Sequence, residues 1–165
     1  MGHVIGIDLG SQSLKGLLLD PAGRLVGEAA RPYDVRYPSP AWAEQDPDDW
    51  MTALRAVIAE LVGTAGIGAA DVSALALGSQ VDGVVATDAA GHQLHPAIIW
   101  LDRRAEDETA ALGRRVAARD LFERTGLNLD SSHVAPKILW LRGHAPAAGE
   151  GCCIRAVGRS TASQL

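Results

Sequence analysis

Apolar and polar positions alternate in short runs at the start of the chain. Val4 to Asp8 is a β-branched run closed by an acid, and Leu14 to Asp20 is a second apolar run after a Gly-Ser-Gln-Ser turn. A Pro-Ala-Gly turn at Pro21 to Gly23 leads into a third run, Leu25 to Ala30. Short runs separated by turn residues predict an antiparallel meander. From Arg31 to Gln45, prolines and aromatic residues among polar ones predict an extended loop. A helix follows: Asp46 is the N-cap, Pro47 fits the first helical position, and Asp48 and Asp49 complement the helix dipole. Trp50, Leu54, Val57, Ile58 and Leu61 then recur at helical spacing, with Gly63 as the expected stop.

Further on, Val72 to Leu77 reads as a strand running into a polar loop, Gly78 to Gly83. Val84 to Thr87 is another strand, Asp88 to Gly91 its turn, and Leu94 to Trp100 a strand whose Pro96 favours an edge or a strand start. Charge mixed with Ala and Leu from Arg103 to Arg119 predicts one amphipathic helix, and Ala135 to Arg142 a shorter one. Strands first, then alternating helices and strands, imply an α/β layered domain.

Composition narrows the class. The 165 residues suffice for one domain with a real core, and 47% hydrophobic with 21% charged residues is ordinary for a globular chain. A net charge of −5 without a Lys/Arg block argues against nucleic acid and against an anionic membrane surface. No apolar run is long enough to span a bilayer, and the first residues do not read as a signal peptide. Cys152 and Cys153 are adjacent, a spacing that suits neither a structural disulfide nor a zinc site. These features lead to the expectation of a cytoplasmic protein.

Chemistry first enters at Gly6-Ile-Asp-Leu-Gly-Ser-Gln-Ser-Leu-Lys15. A turn containing Gly10, Ser11, Gln12 and Ser13 between two strands can gather backbone N–H groups into a concavity that receives phosphate oxygens. Asp8, at the end of the first strand, is placed to hold Mg²⁺ through water, and Lys15 can add charge near the phosphates. The pattern lacks the Gly-Lys-Ser/Thr end of a Walker loop, and a strand rather than a helix follows it. A tight hairpin with an incidental carboxylate and a surface lysine is the plainer alternative on these residues alone.

The hairpin resembles the first phosphate motif of the actin, Hsp70 and sugar-kinase superfamily, whose domains have a ribonuclease-H-like core. Trp42-Ala-Glu-Gln-Asp-Pro-Asp-Asp-Trp50 resembles the stretch that leads into the first helix of xylulokinase-like FGGY carbohydrate kinases. The segment Leu77 to Gly83, with Gln80 at its centre, and the segment Pro96 to Arg104 are similar to that family's sugar-site region. The resemblance runs from about Val4 to Leu141. It implies ATP and Mg²⁺ as cofactors, phosphoryl transfer to a hydroxyl of a sugar or polyol, and substrate contacts from Gln80, Val81, Asp82, Trp100 and Asp102. Xylulokinases usually carry Met-His, and glycerol kinases Arg-Glu, where this chain has Val81-Asp82, so the identity of the substrate stays open. The residues alone also allow Asp82 and Asp102 as solvated loop carboxylates and Trp100 as a core residue. Arg103 and Arg104 read as surface or ion-pair residues, and His92 and His95 as surface ones.

The domain expected from this resemblance is 1–142, an incomplete sugar-binding domain. Residues 143–165 match nothing the family resemblance leads one to expect and show no periodicity, so a divergent, disordered tail is expected there. The resemblance places the catalytic carboxylate well downstream, so no residue here is given that role, and a truncated product with weak or no activity alone is expected. A homodimer is open, since family members are often dimers. The competing classes are a non-catalytic nucleotide-binding module of the actin/Hsp70 type and a degraded coding sequence.

Overall fold

The computed structural model describes residues 2–145 and 153–157. In chain order its elements are β1 (His3–Leu9), β2 (Ser13–Leu19), β3 (Leu25–Pro32), β4 (Glu44–Gln45), α1 (Pro47–Ala65), β5 (Val72–Ser79), β6 (Gly83–Thr87), β7 (Ala97–Ile98), α2 (Glu106–Gly113), α3 (Ala118–Thr125), α4 (Val134–His144) and β8 (Cys153–Val157). The chain divides into two units: Met1–Val35 with Asp46–Gln80, and Arg36–Gln45 with Val81–Leu165.

In the first unit the expected meander forms, and β5 joins it in parallel, giving the sheet order β3-β2-β1-β5. Alternation sorts the side chains by face: Ile5, Ile7, Leu9, Leu14 and Leu18 are buried, while Asp8, Lys15 and Leu17 are exposed. Helix α1 packs on the buried face through Trp50, Ala53, Val57 and Leu61. Full burial of Val57 and Leu61 contributes about 1.5–3 kcal/mol each. Gly16 permits the close approach, because a Cβ there would lie 2.4 Å from Val57 Cγ1. Asp46 caps α1 by accepting the N–H of Asp48 at 3.0 Å, as expected. Gly63 does not stop the helix, which continues to Ala65 and ends on Gly66. Gly66 adopts the left-handed φ of 65° that a helix terminus of this kind requires.

The second unit has a sheet of order β4-β7-β6-β8, antiparallel throughout. Its core gathers Val84, Ala86, Ile98, Ala105, Trp140 and Leu141, with Trp42, Val134 and Ile138 packed against it. Trp42 meets Trp140 edge to face at a centroid separation of 5.2 Å. The single helix expected over Arg103 to Arg119 is instead two. Helix α2 closes at Gly113, where a Cβ would come within 3.2 Å of Leu129, and Ala117 is extended before α3 begins. The expected strand Leu94 to Trp100 shrinks to Ala97–Ile98, consistent with Pro96 withholding a backbone donor before it.

The expectation of an unstructured tail from residue 143 fails at two places. Gly143 and His144 complete α4, and Cys153–Val157 forms β8, paired along the length of β6 from Gly83↔Val157 to Thr87↔Cys153. Backbone pairing with β6 makes this strand, and such pairing leaves no periodic signature of its own. The remainder of that expected tail, 146–152 and 158–165, lies outside the described residues. No helix among the described residues is long and apolar enough to cross a membrane.

Candidate functional site

The hairpin residues converge at one end of the first sheet. Asp8 and Lys15 are direct cross-strand partners, so both project from the face opposite α1. In the register across the sheet, Gly78, Asp8, Lys15 and Ala30 form one row, and Ala76, Gly6, Leu17 and Glu28 the next. Small residues in these rows leave a groove of about 830 Å³, with Asp8 and Lys15 in its lining. An acid and a base rise there beside glycines and alanines, with Leu17, Leu77 and Glu28 also in the lining.

The turn itself is tied from several sides. The Gly10 N–H donates to the Ser13 carbonyl at 3.0 Å, and a Cβ at Gly10 would lie 3.1 Å from that oxygen. Gly10 N–H is therefore spent inside the turn. The Gly10 carbonyl accepts the Tyr33 hydroxyl at 2.6 Å, and the Gln12 carbonyl accepts the Tyr33 N–H at 3.2 Å. Tyr33 is half-buried, and burial, followed by the nearby Asp8 charge, pushes its phenol up to about 12. The Asp8 carboxylate thus acts electrostatically on the residue that anchors the turn. Tyr33 was not among the residues expected at the site. A tyrosine directly after a strand-ending proline was its one sequence signal.

Gln80 joins the same end of the sheet. Its N–H donates to the Leu9 carbonyl at 2.8 Å, and the Ser11 hydroxyl reaches its Oε1 at 3.5 Å. Parallel pairing of β1 with β5, which sets Leu9 opposite Ser79, brings the two strand ends together. Ligands of parallel α/β sheets gather at these carboxyl ends. Gln80 therefore lies with Ser11 in the first unit, whereas Val81, Asp82, Trp100 and Asp102 lie in the second.

Within the second unit the expected residues separate by exposure. Val81 and Trp100 are exposed, at 60% and 43%. Asp82 has a left-handed φ of 55°, which Asp tolerates better than most residues, and its carboxylate meets His133 Nδ1 at 3.0 Å. Asp102 is wholly buried. Its Oδ2 accepts the Ala43 N–H at 2.6 Å, and Arg104 bonds both oxygens through Nε, Nη2 and its own N–H. The carboxylate is thereby committed to holding Arg104 and the strand before it. Arg104, also buried, pairs with Glu44 at 2.8 Å and lies 3.8 Å from the centroid of the Trp42 ring. It is an ion-pair residue of the interior, not of the surface. Arg103 is an exposed partner of Asp130 at 2.9 Å, and hydrogen bonds from Ser132, followed by the Arg103 charge, hold the Asp130 carboxyl down at about 2.

Sequence reasoning also passed over Lys137. This side chain is fully buried, and its ammonium donates to the carbonyls of Asp82 at 2.7 Å and Ile99 at 2.8 Å. Burial pulls it down to about 8 against the attraction of Asp102 and Asp82. Its position among Pro136, Trp140 and Leu141, all on the buried face of α4, was the available signal.

A parallel strand added to an antiparallel meander is the arrangement of the ribonuclease-H-like fold of the actin-like ATPase superfamily. Within that superfamily, the profile of the FGGY family of carbohydrate kinases, N-terminal domain, matches residues 3–153, and the chain belongs to this family. It is 35% identical over 151 residues to a glycerol kinase of Leptothrix cholodnii, covering 91% of this chain and 30% of that protein. A glycerol kinase of Brucella ovis is 33% identical over 150 residues, 90% of this chain and 30% of that one. The crystal structure of xylulose kinase from Rhodospirillum rubrum superposes with a TM-score of 0.84 at 34% identity, covering 92% of this chain and 32% of that chain. The chain thus spans about 30% of the length of the curated relatives it matches.

Proposed function

We propose that this chain forms the part of an ATP-dependent cytoplasmic kinase that receives a sugar or polyol and cradles the nucleotide phosphates. The observation that carries this reading is the meeting of the Gly10–Ser13 turn with Gln80 at the carboxyl ends of β1 and β5, in a chain of the FGGY family.

The donor set fits a magnesium nucleotide. No group of three or more His, Cys, Asp or Glu side chains gathers into a metal site among the described residues, and Asp8 is an exposed carboxylate beside the groove. One carboxylate with water and phosphate oxygens is a usual environment for Mg²⁺, which loses its hydration reluctantly. When bound, Mg-ATP supplies the phosphoryl group and a neutralising divalent charge. Asp8 would hold the cation, and Lys15, directly across the strands, would balance the remaining negative charge. Ser11, Gln12 and Ser13 would offer polar groups to the phosphate oxygens, with the turn kept in shape by Tyr33. On the acceptor side, Asp82 of the second unit would hydrogen-bond hydroxyl groups, and the exposed face of Trp100 would pack on the C–H face of the substrate. Asp102 supports this region through Arg104 and is not proposed to touch the substrate. No residue of the chain is proposed as the base that accepts the hydroxyl proton.

The test is calorimetric titration of the 165-residue chain with glycerol, D-xylulose and Mg-ATP, beside an ATP-consumption assay. Binding of a polyol and of Mg-ATP without turnover is expected, with Asp8→Asn weakening only the nucleotide and Asp82→Ala altering the choice of polyol. Mg-ATP binding without affinity for any polyol would favour a non-catalytic nucleotide-binding module. Robust turnover would overturn the division of labour proposed here.

A further inference from the structure

Lys137 is the sole charged side chain on the buried face of α4, and it is completely enclosed. An ammonium loses hydration on burial, and an apolar residue of similar volume would ordinarily be the more stabilising occupant. The contacts explain what the lysine does instead. One N–H goes to the carbonyl of Asp82 and another to the carbonyl of Ile99, residues far apart in sequence. The first carbonyl belongs to the loop that presents Val81 and the Asp82 carboxylate. The second immediately precedes Trp100, in the turn closed by the Asp102 N–H on Ile99 at 3.1 Å. A single side chain therefore sets the spacing between two segments whose side chains face outward.

The loop needs such a tie. Asp82 holds a left-handed backbone conformation, which costs a non-glycine residue energy and persists where its surroundings enforce it. His133, in the residues leading into α4, fixes the Asp82 carboxylate, while Lys137 fixes the Asp82 carbonyl. Carboxylate and carbonyl of one residue are thus bound by two groups, one from the N-cap of α4 and one from its first turn. Losing the ammonium proton would not break the arrangement, because a neutral amine retains two N–H donors for the two carbonyls.

We infer that Lys137 is a positioning residue for the polyol site, joining the Asp82 loop to the Trp100 turn so that both present their side chains at a fixed separation. This rests on the polyol reading proposed above. It is tested on the intact chain in two ways. The chain has two lysines, Lys15 and Lys137. Carbon-13 and nitrogen-15 labelling of the chain therefore gives two lysine side-chain signals, one exposed and one buried. Scalar couplings across the hydrogen bonds from Lys137 Nζ to the carbonyl carbons of Asp82 and Ile99 are expected, and their absence overturns the inference.

The second arm titrates glycerol and D-xylulose into Lys137→Met and into Leu141→Ala, which removes buried volume from the same helix. Lys137→Met should weaken binding about tenfold or more, the scale of two lost hydrogen bonds. Leu141→Ala should lower the unfolding midpoint and leave the affinity as in the wild type. Equal losses in both variants, or wild-type affinity in Lys137→Met, would reduce Lys137 to a structural residue. Should Lys137→Met not fold, Lys137→Gln, whose amide keeps N–H donors on a shorter arm, replaces it with the same expectation at smaller size. If the wild type binds neither compound, the polyol reading falls, and the couplings alone decide whether the clamp exists.

Discussion

In the first unit a phenol and backbone amides hold the turn that carries Gly10 to Ser13, and the acid and base of the hairpin face an open groove. In the second unit a buried lysine, arginine and aspartate hold the segments that carry Asp82 and Trp100. The contrast matches what each would present in the function proposed above. A phosphate cradle uses backbone N–H groups and needs a rigid turn with little bulk, which neutral bonds supply. A polyol site needs side chains from distant segments at set separations, and long charged side chains can span that distance through the interior. The two solutions should respond differently to damage: loss of a neutral anchor removes its own bonds, while loss of a buried charge also strands its partner.

The largest expected effect follows from that asymmetry. Asp102→Ala leaves the buried Arg104 guanidinium short of its main partner and should destabilise the chain by about 3–5 kcal/mol in urea unfolding. A loss within 1 kcal/mol of zero would mean that Glu44 alone suffices. Next, Gly16→Ala places a Cβ against Val57, Ile7 and Leu61 and should cost about 1–3 kcal/mol by overpacking. This tests the first unit by volume rather than by charge.

Smaller effects distinguish the two anchors. Tyr33→Phe removes the bond to the Gly10 carbonyl and should cost about 0.5–1.5 kcal/mol, with a parallel weakening of Mg-ATP binding. The phenol is raised from 10.0 to about 12, so it favours folding while protonated. That contribution is complete below pH 10 and is lost as pH rises towards 12. Absorbance of tyrosinate in the wild type and in Tyr33→Phe checks the assignment. Lys137 has the opposite sign. Its value falls from 10.5 to about 8, so between those limits the unfolded chain binds more protons and stability rises with pH. The surrounding charges are Asp102, Asp82, Arg103 and Arg104, and urea midpoints in Lys137→Met should lack the rise. Least of all, Arg103→Ala breaks an exposed pair with Asp130 and should cost under about 1 kcal/mol.

What could be read beforehand divides along the same line. The meander, the cap of α1 and the hairpin depend on neighbours within a few residues, and their signals are local: Asp46-Pro47, Gly10, the alternation from Ile5 to Leu18. Asp8 and Lys15 fell opposite each other because a short turn fixes the register. Lys137 and Tyr33 were missed because their partners are set by tertiary packing. The family resemblance implies Asp102 as a substrate contact, while its complete burial depends on packing that a short motif does not display. Strand β8 escaped for the same reason, since β6 supplies its partners. The break between α2 and α3, where Ala117 is extended, falls within a run whose mixture of charge with Ala and Leu continues unbroken in the sequence.

The left-handed backbone at Asp82 also restricts how this position can vary. Glycine, asparagine and aspartate accept that conformation at low cost, while valine, isoleucine and threonine do not. A library randomised at residue 82 would therefore find few folded members among β-branched replacements. The more permissive neighbours are Val81 and Trp100, whose side chains are already exposed. The backbone thus selects the alphabet at this position before any substrate does.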